Sequence, residues 1–178
     1  MQELVRVAVD AMGGDNAPLE IVKGAVEALE LRKDLKVILV GPEETVRAEL
    51  KKYSYDEARV EVVNASEVIE MAEPPVQAIR TKKDSSIVVA MKLVKNGEAD
   101  AFVGAGSTGA VLVGGQLIVG RLKGVERPPL APLLPTEKGA SLLIDCGANV
   151  DARPSHLVQF AKMGSIYMEN VMGIQNPR

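Results

Sequence analysis

Residues 4–18 read LVRVAVDAMGGDNAP: an apolar, strand-like run, a loop with two adjacent glycines, and a helix start at Pro18. Residues 99–109 read ADAFVGAGSTG and repeat this order, because a short apolar run again leads into a glycine-rich loop. Short β-rich runs that alternate with helical periodicity indicate βαβ units and a mainly parallel sheet covered by helices on both faces. These two stretches therefore predict an α/β fold.

The rest of the chain keeps the same alternation. Strands are predicted at 4–10, 36–40, 59–63, 99–103 and 141–145, and helices at 18–32, 43–53, 85–96, 107–120 and 155–171. Two segments interrupt the pattern, namely a connector that contains Pro74 and Pro75, and the proline-rich residues 127–136. At roughly 150 residues per domain, the length predicts a single α/β domain over residues 1–178.

Composition excludes several classes of protein. The 178 residues are 47% apolar and 25% charged, as in an ordinary globular protein, and the net charge of -3 is unlike that of a non-specific nucleic-acid binder. Aromatic residues make up only 3%, which argues against a base-stacking platform. The single cysteine cannot form an intramolecular disulfide, the first residues do not show the charged, apolar and small-residue order of a signal peptide, and no apolar run reaches about 18 residues. We therefore expect a cytoplasmic protein without a transmembrane helix.

The loop at residues 10–15 follows the first predicted strand, where ligands bind in open α/β sheets. Gly13 and Gly14 allow the backbone to approach a ligand closely, and Asp10 and Asp15 flank them. The two carboxylates could organise a site by holding a metal, a hydroxyl group or a lysine. The alternative is a tight turn in which Asp15 caps the following helix.

The loop at residues 104–109 formally matches the G-x-G-x-x-G motif of dinucleotide-binding folds. That motif also needs an acidic residue at the end of the next strand, and Glu126, at the right distance, lies in a segment that is not a strand end. Small residues at a helix start nevertheless expose backbone N–H groups that suit a phosphate or an oxyanion. The predicted anion-binding residues are Gly106, Ser107, Thr108 and Gly109, and the alternative is a plain strand-to-helix turn.

A third loop, residues 145–151, is also small and polar and follows a predicted strand. Cys146 could act as a nucleophile with His156, the only histidine, as its base, but a packed thiol and a histidine at a helix start are the favoured interpretation. One cysteine and one histidine do not make a zinc site without several carboxylates. We therefore predict neither a metal nor a cofactor.

Basic residues form two groups that could receive an acidic partner or could simply be solvated. They comprise Arg80, Lys82 and Lys83, and then Arg121, Lys123 and Arg127. Lys83, together with Ser85 and Ser86 at a predicted helix start, is the best anion-binding candidate outside the glycine loops.

Several motifs together resemble the bacterial phosphate acyltransferase (PlsX) family, in collinear order from Leu4 to Arg178. They are residues 7–18 (VAVDAMGGDNAP), 82–86 (KKDSS), 104–110 (GAGSTGA), 120–124 (GRLKG), 127–136 (RPPLAPLLPT), 145–151 (DCGANVD), 156–159 (HLVQ) and 163–165 (MGS). The resemblance implies a three-layer α/β/α sandwich similar to phosphate acetyltransferase and isocitrate dehydrogenase-like folds. Chains of the family continue past Arg178, so it also implies that these residues correspond to the N-terminal half of a longer protein.

The activity implied by the resemblance is transfer of a fatty acyl group from acyl carrier protein to inorganic phosphate, which gives an acyl phosphate for phospholipid synthesis. Members of the family are homodimers that can associate peripherally with the membrane. We assign Asp10, Asp15, Lys83, Asp145 and Asn149 to the catalytic site, Gly13, Gly14, Ser85, Ser86 and residues 106–109 to the phosphate or oxyanion, and the remaining basic residues to carrier docking. The alternatives are a nicotinamide-dependent oxidoreductase of related fold and a non-catalytic fragment.

Overall fold

A computed structural model of the protein describes residues 4–137 and 139–177. The chain divides into two compact units, of which the first ends at Gly120 and the second begins at Arg121. The prediction of one domain over residues 1–178 stays a prediction.

The first unit is built on a four-stranded parallel sheet, which confirms the predicted α/β fold. The strands are β1 (Val5–Asp10), β2 (Leu35–Gly41), β3 (Val60–Asn64) and β4 (Ala101–Val103), in the spatial order β3-β2-β1-β4. The helices are α1 (Leu19–Leu31), α2 (Glu43–Leu50), α3 (Pro75–Thr81), α4 (Ser86–Lys95) and α5 (Thr108–Gly114). Each strand pairs with its neighbours in parallel, so all four carboxyl ends lie at one edge.

Helices cover both faces of this sheet because alternate strand residues point to opposite sides. On one face, Val37 and Leu39 of β2 pack with residues of α1 and α2, including Leu29. On the other face, Ile38 and Val40 belong to a core that includes Ala90 of α4. These apolar layers on both sides of the strands form the α/β/α arrangement.

An apolar groove of about 410 Å³ remains along the sheet beside α1. Its lining includes Val7, Val9 and Val103 of the strands and Gly24 and Ala25 of the helix. Parallel sheets are normally covered on both faces. The groove therefore marks the part of the sheet that α1 and α2 leave uncovered within the first unit.

Three helical segments differ from the sequence prediction. The connector that contains Pro74 and Pro75 forms α3, since Pro75 stands in the first turn of a helix, where its missing N–H costs no hydrogen bond. The helix predicted at 43–53 ends at Leu50 and continues only as a turn. The helix predicted at 107–120 is α5 followed by a π-helical turn over Gly115–Val119, and it stops at Gly120, whose φ is +97°.

The second unit contains a two-stranded antiparallel sheet and one long helix. The strands are β5 (Leu133–Thr136) and β6 (Gly139–Leu142), and the helix is α6 (Pro154–Asn170). The predicted strand at 141–145 is therefore wrong in its bounds, and it does not pair in parallel. Only two residues separate β5 from β6, whereas a parallel pair needs a crossover of about a dozen residues or more. Pro135 fits this ribbon because prolines are tolerated on strands with a free edge.

Within the described residues, no helix is both long and apolar enough to span a membrane.

Candidate functional site

The loops after β1 and β4 lie side by side at the carboxyl edge of the first unit's sheet. Val9 of β1 is the parallel partner of Val103 of β4, so the Asp10–Asp15 loop and the Gly104–Gly109 loop leave neighbouring strands at the same level. This edge is where open α/β sheets bind their ligands. The topology therefore brings together the first two of the three loops that the sequence singled out.

Two glycines let these loops touch. A Cβ added to Gly13 would lie 2.5 Å from Oδ2 of Asp10 and 2.8 Å from the backbone nitrogen of Gly106. A Cβ added to Gly106 would lie 3.1 Å from the Cα of Gly13. The adjacent Gly14 has a φ of +101°, which L side chains rarely adopt. Both loops are thus held in backbone-to-backbone contact over the carboxyl group of Asp10.

Asp10 is buried beneath this contact, with 1% of its surface exposed. Its Oδ1 accepts a hydrogen bond of 3.1 Å from the backbone N–H of Met12. Burial raises the pKa of Asp10 above its ordinary value, and hydrogen bonds from the Ser86 side chain and from the backbone of Met12 and Gly13 only partly offset it. The carboxyl group can therefore hold a proton at a higher pH than an exposed aspartate.

Asp15 is exposed at the end of the same loop. The residue at the N-cap of α1 is Pro18, and no side chain caps this helix. The alternative in which Asp15 caps the helix is therefore wrong. The assignment of Asp15 to the catalytic site stays a prediction.

The residues of the second loop differ in what they contact. The Ser107 Oγ accepts a 3.3 Å hydrogen bond from the N–H of Ala110 and caps α5, whereas Thr108 is exposed. A Cβ on Gly109 would lie 2.6 Å from Cγ of Pro75, so that glycine is required for packing against α3. Thr108 thus has a hydroxyl group open to a ligand at the start of the helix.

The segment before α4 approaches the same edge through Ser86, whose side chain hydrogen-bonds to Asp10. Ser85 and Ser86 are both buried, and the Ser85 Oγ donates to the carbonyl oxygen of Lys82 at 2.9 Å. Ser86 therefore contacts the first glycine loop through Asp10, and Ser85 stabilises the turn that precedes it.

The basic residues beside these serines have different environments. The Lys82 Nζ donates to the carbonyl oxygen of Val68 at 2.6 Å and forms an ion pair with Glu73. The Lys83 Nζ donates to the carbonyl oxygen of Ile79 at 3.2 Å, and Arg80 is exposed on α3. Lys82 therefore has a structural partner for its charge, and its assignment to carrier docking stays a prediction.

Sequence reasoning missed three residues that hold this segment in place. The Asp84 Oδ2 accepts hydrogen bonds from the backbone N–H and the hydroxyl group of Ser66, and the Glu67 Oε2 accepts one from the N–H of Asp84. Ser66 and Glu67 come directly after Ala65 at the carboxyl end of β3. That position, at the edge where ligands bind, was the signal that could have identified them.

Asp145 and Asn149 lie in the second unit, where they hold one loop together. The Asp145 carboxylate accepts hydrogen bonds of 2.7 Å from the N–H groups of both Leu130 and Asn149. Burial alone would raise the pKa of Asp145, but the hydrogen bonds from Leu130, Asn149 and Ala148 together hold it below its ordinary value. The Asn149 Nδ2 also donates to the carbonyl oxygen of Pro128. These contacts give the pair a structural role, and its catalytic role stays a prediction.

His156 is engaged by groups other than Cys146. Its Nδ1 accepts a hydrogen bond from the N–H of Arg153 at 3.1 Å, and its Nε2 lies 3.0 Å from Oε2 of Glu126. The prediction of a packed thiol is wrong, because Cys146 is exposed; its backbone N–H donates to the carbonyl oxygen of Leu130. Both ring nitrogens of His156 are thus occupied, which favours the helix-start interpretation over a cysteine–histidine pair.

The remaining basic residues, Arg121, Lys123 and Arg127, are exposed in the second unit. The Arg121 guanidinium donates to the carbonyl oxygen of Glu126, within its own loop.

Across residues 4–137 and 139–177, no group of three or more His, Cys, Asp or Glu residues is arranged to hold a metal ion.

The fold is that of an open α/β protein with two glycine-rich loops in contact at the carboxyl edge of its parallel sheet. The chain belongs to the family described as "Fatty acid synthesis protein", which matches residues 5–178.

Particular relatives fit this assignment. The chain is 57% identical over 175 residues to a phosphate acyltransferase of Desulfitobacterium hafniense, covering 98% of this chain and 52% of that protein. It is 52% identical over 174 residues to a phosphate acyltransferase of Clostridium perfringens, with 98% and 51% coverage. It therefore spans about half the length of the curated relatives that it matches.

A solved phosphotransacetylase from Streptococcus pyogenes has a similar fold. It superposes with a TM-score of 0.69 at 21% identity over 96% of this chain and 55% of that chain. A phosphotransacetylase from Staphylococcus aureus superposes similarly, with a TM-score of 0.66. These neighbours support the predicted α/β sandwich.

Proposed function

We propose that this chain carries the phosphate-binding part of an enzyme that transfers a fatty acyl group from acyl carrier protein to inorganic phosphate. The observation that carries the proposal is the contact of the Gly13 and Gly106 loops over the buried carboxyl group of Asp10. The names of the curated relatives supply the reaction class. Acyl carrier protein as donor, a homodimer, a cytoplasmic location and peripheral membrane association belong to the same proposal.

Phosphate is the nucleophile of the proposed reaction. One phosphate oxygen attacks the carbonyl carbon of the thioester, the carbon–sulfur bond breaks, and the proton lost by the phosphate passes to the leaving thiolate. The products are an acyl phosphate and the free thiol of the carrier. Because phosphate attacks directly, the reaction needs no covalent intermediate on the enzyme.

The glycine-lined edge offers what this reaction needs. Backbone N–H groups of the Gly104–Gly109 loop and the Thr108 hydroxyl group are donors for a phosphate or for the oxyanion that develops on the carbonyl oxygen. Ser86 and Asp10 support the floor of this edge. Fixing the phosphate in a reactive position can itself supply much of the rate.

Carrier docking is assigned to exposed basic residues, since an acidic partner is attracted to positive charge. Arg80 is the exposed candidate in the first unit, and Lys123 and Arg127 are candidates in the second. Reversal of these charges should raise the apparent KM for acyl carrier protein and leave kcat nearly unchanged. An unchanged KM would contradict the docking assignment.

The experiment that tests the proposal measures release of the carrier-protein thiol from long-chain acyl carrier protein, with and without inorganic phosphate. We expect release that depends on phosphate and yields acyl phosphate. We also expect Cys146→Ala to retain it, since no enzyme nucleophile is used. Release that is independent of phosphate, or loss of release in a folded Cys146→Ala protein, would contradict the proposed reaction.

A further inference from the structure

The segment that follows β3 is joined to the turn before α4 by a reciprocal set of hydrogen bonds. The Asp84 Oδ2 accepts from the Ser66 N–H at 2.8 Å and from the Ser66 Oγ at 2.5 Å. In return, the Asp84 N–H donates to the Glu67 Oε2 at 3.0 Å. Backbone bonds from Glu67 to Asp84 and from Ser86 to Glu67, of 3.1 and 3.2 Å, complete the contact. We call these four residues, Ser66, Glu67, Asp84 and Ser86, the serine latch.

The latch depends on the negative charge of one exposed side chain. The hydroxyl group and the backbone N–H of Ser66 hold the pKa of Asp84 below its ordinary value, so this carboxylate is ionised at neutral pH. Hydrogen bonds that an ionised group accepts are shorter and stronger than neutral ones. Asp84 is therefore the member of the latch whose loss should loosen it most.

The latch continues inward to the candidate site. Its last member, Ser86, is 1% exposed and is the first residue of α4, and its side chain hydrogen-bonds to the buried Asp10. The backbone N–H of Ser86 is fixed by Glu67, which is fixed in turn by Asp84. A continuous set of contacts thus connects an exposed carboxylate with the carboxyl group below the glycine loops.

We propose that Asp84 is a positioning residue that, through the serine latch, holds the Ser86 hydroxyl group against Asp10. This inference rests on the proposed function only in treating Asp10 as part of the phosphate site. Asp84 itself touches none of the glycine-loop residues in the hydrogen bonds described, so it acts through Ser86.

The experiment measures the pKa of Asp10 by carboxyl ¹³C NMR, with its signal assigned from its loss in Asp10→Asn. In Asp84→Ala, removal of a negative charge alone would lower the Asp10 pKa. Loss of the Ser86 hydrogen bond would raise it instead, by roughly half to one pH unit, because that bond favours the charged form. We expect a rise. Asp84→Asn keeps an acceptor oxygen for Ser66 but loses the charge that strengthens these bonds, so it should give an Asp10 pKa between those of the wild type and Asp84→Ala.

Asp56→Ala is the matched control. Asp56 is also an exposed carboxylate that accepts a backbone N–H, from Ala58 at 3.1 Å, but it precedes β3 at the opposite edge of the sheet. Its removal should leave the Asp10 pKa unchanged. An unchanged or lowered Asp10 pKa in folded Asp84→Ala would overturn the proposal.

Two further measurements keep the test decisive. If Asp84→Ala does not fold, Ser66→Ala removes one of the two bonds to Asp84, and an unchanged Asp10 pKa in that variant would overturn the proposal. Inorganic phosphate is titrated separately into the wild-type chain. Failure of the wild-type chain to bind phosphate would count against the proposed function, whereas the pKa of Asp10 decides the role of Asp84.

Discussion

Replacement of Gly13 by alanine probes the contact on which the site is built. The added Cβ would lie 2.5 Å from Oδ2 of Asp10 and 2.8 Å from the Gly106 nitrogen, closer than carbon and these atoms approach without repulsion. One of these groups is a buried carboxyl and the other is backbone. The carboxyl group cannot easily swing away, because it is buried and hydrogen-bonded, so the loops must move apart.

The size of the effect follows from this crowding. Inserting a methyl group into a closely packed region costs about 1–3 kcal/mol. Gly13 is buried between the two loops, so we expect Gly13→Ala to lower the free energy of unfolding of the first unit by about that amount. The displaced loops should also weaken phosphate binding.

Gly24→Ala is the matched control, because it makes the same chemical change with the opposite expected sign. Gly24 lies inside α1, and apart from its chain neighbours and the backbone of its own helix, no heavy atom lies within 4 Å of an added Cβ. Alanine in a helix interior is favoured over glycine by about 0.5–1 kcal/mol, so this variant should be more stable.

Urea unfolding followed by tyrosine fluorescence measures both variants. The chain has three tyrosines and no tryptophan, and Tyr53 and Tyr55 pack against the α1–α2 core, so the signal reports mainly on the first unit. A Gly13→Ala protein as stable as the wild type, with unchanged phosphate binding, would refute the close contact of the two loops.

Three further predictions concern stability. Leu39→Ala removes a side chain with no exposed surface from the centre of the sheet and should cost about 2–5 kcal/mol in the same urea experiment, whereas a loss well below 1 kcal/mol would contradict its packing. The folded-state pKa of Asp10 is raised, so just above pH 3.8 the native state binds more protons than the unfolded state. The contribution of Asp10 to stability is therefore lost as pH rises through the raised pKa, and Asp10→Asn should remove that part of the pH dependence in urea titrations. The pKa of Asp145 is lowered, so the contribution of Asp145 to stability is present above pH 3.8 and is lost as pH falls through the lower pKa. Unfolding of Asp145→Asn, followed by circular dichroism, should lack this loss of stability at acid pH. An unaltered dependence of stability on acid pH would argue against the contacts of Asp145.

The sequence predicted the first unit well because its signals are local. Apolar runs ending at Asp10 and Val103 precede glycine-rich loops, and helical periodicity between the runs requires crossovers, which favour a parallel sheet. The helix α3 was missed because Pro74 and Pro75 read as a break, although a proline in the first turn is compatible with a helix.

The second unit shows where local signals were insufficient. The apolar residues 141–145 have the composition of a buried strand, and only pairing decides whether such a strand is parallel or antiparallel. The short separation of β5 from β6 favours a hairpin, but β5 lies within the proline-rich residues 127–136, which the sequence analysis treated as an interruption and not as a strand.

The loops of the candidate site were predictable from the sequence, whereas the contacts that support these loops were not. Glycines and acidic residues beside strand ends pointed to Asp10, Gly13 and Gly106. The contacts of Ser66 with Asp84 span 18 positions of the sequence, and no spacing rule connects such residues. Burial of Asp10, which raises its pKa, likewise depends on tertiary packing and cannot be read from its neighbours in the chain.

Amide NMR of the chain during titration with inorganic phosphate, at constant ionic strength, shows whether the two glycine loops bind phosphate. We expect saturable shifts that concentrate on the N–H groups of residues 13–15 and 104–110, and that weaken in Gly13→Ala. Saturable shifts confined to other residues, or no saturable shift in these two loops, would contradict the proposed phosphate site.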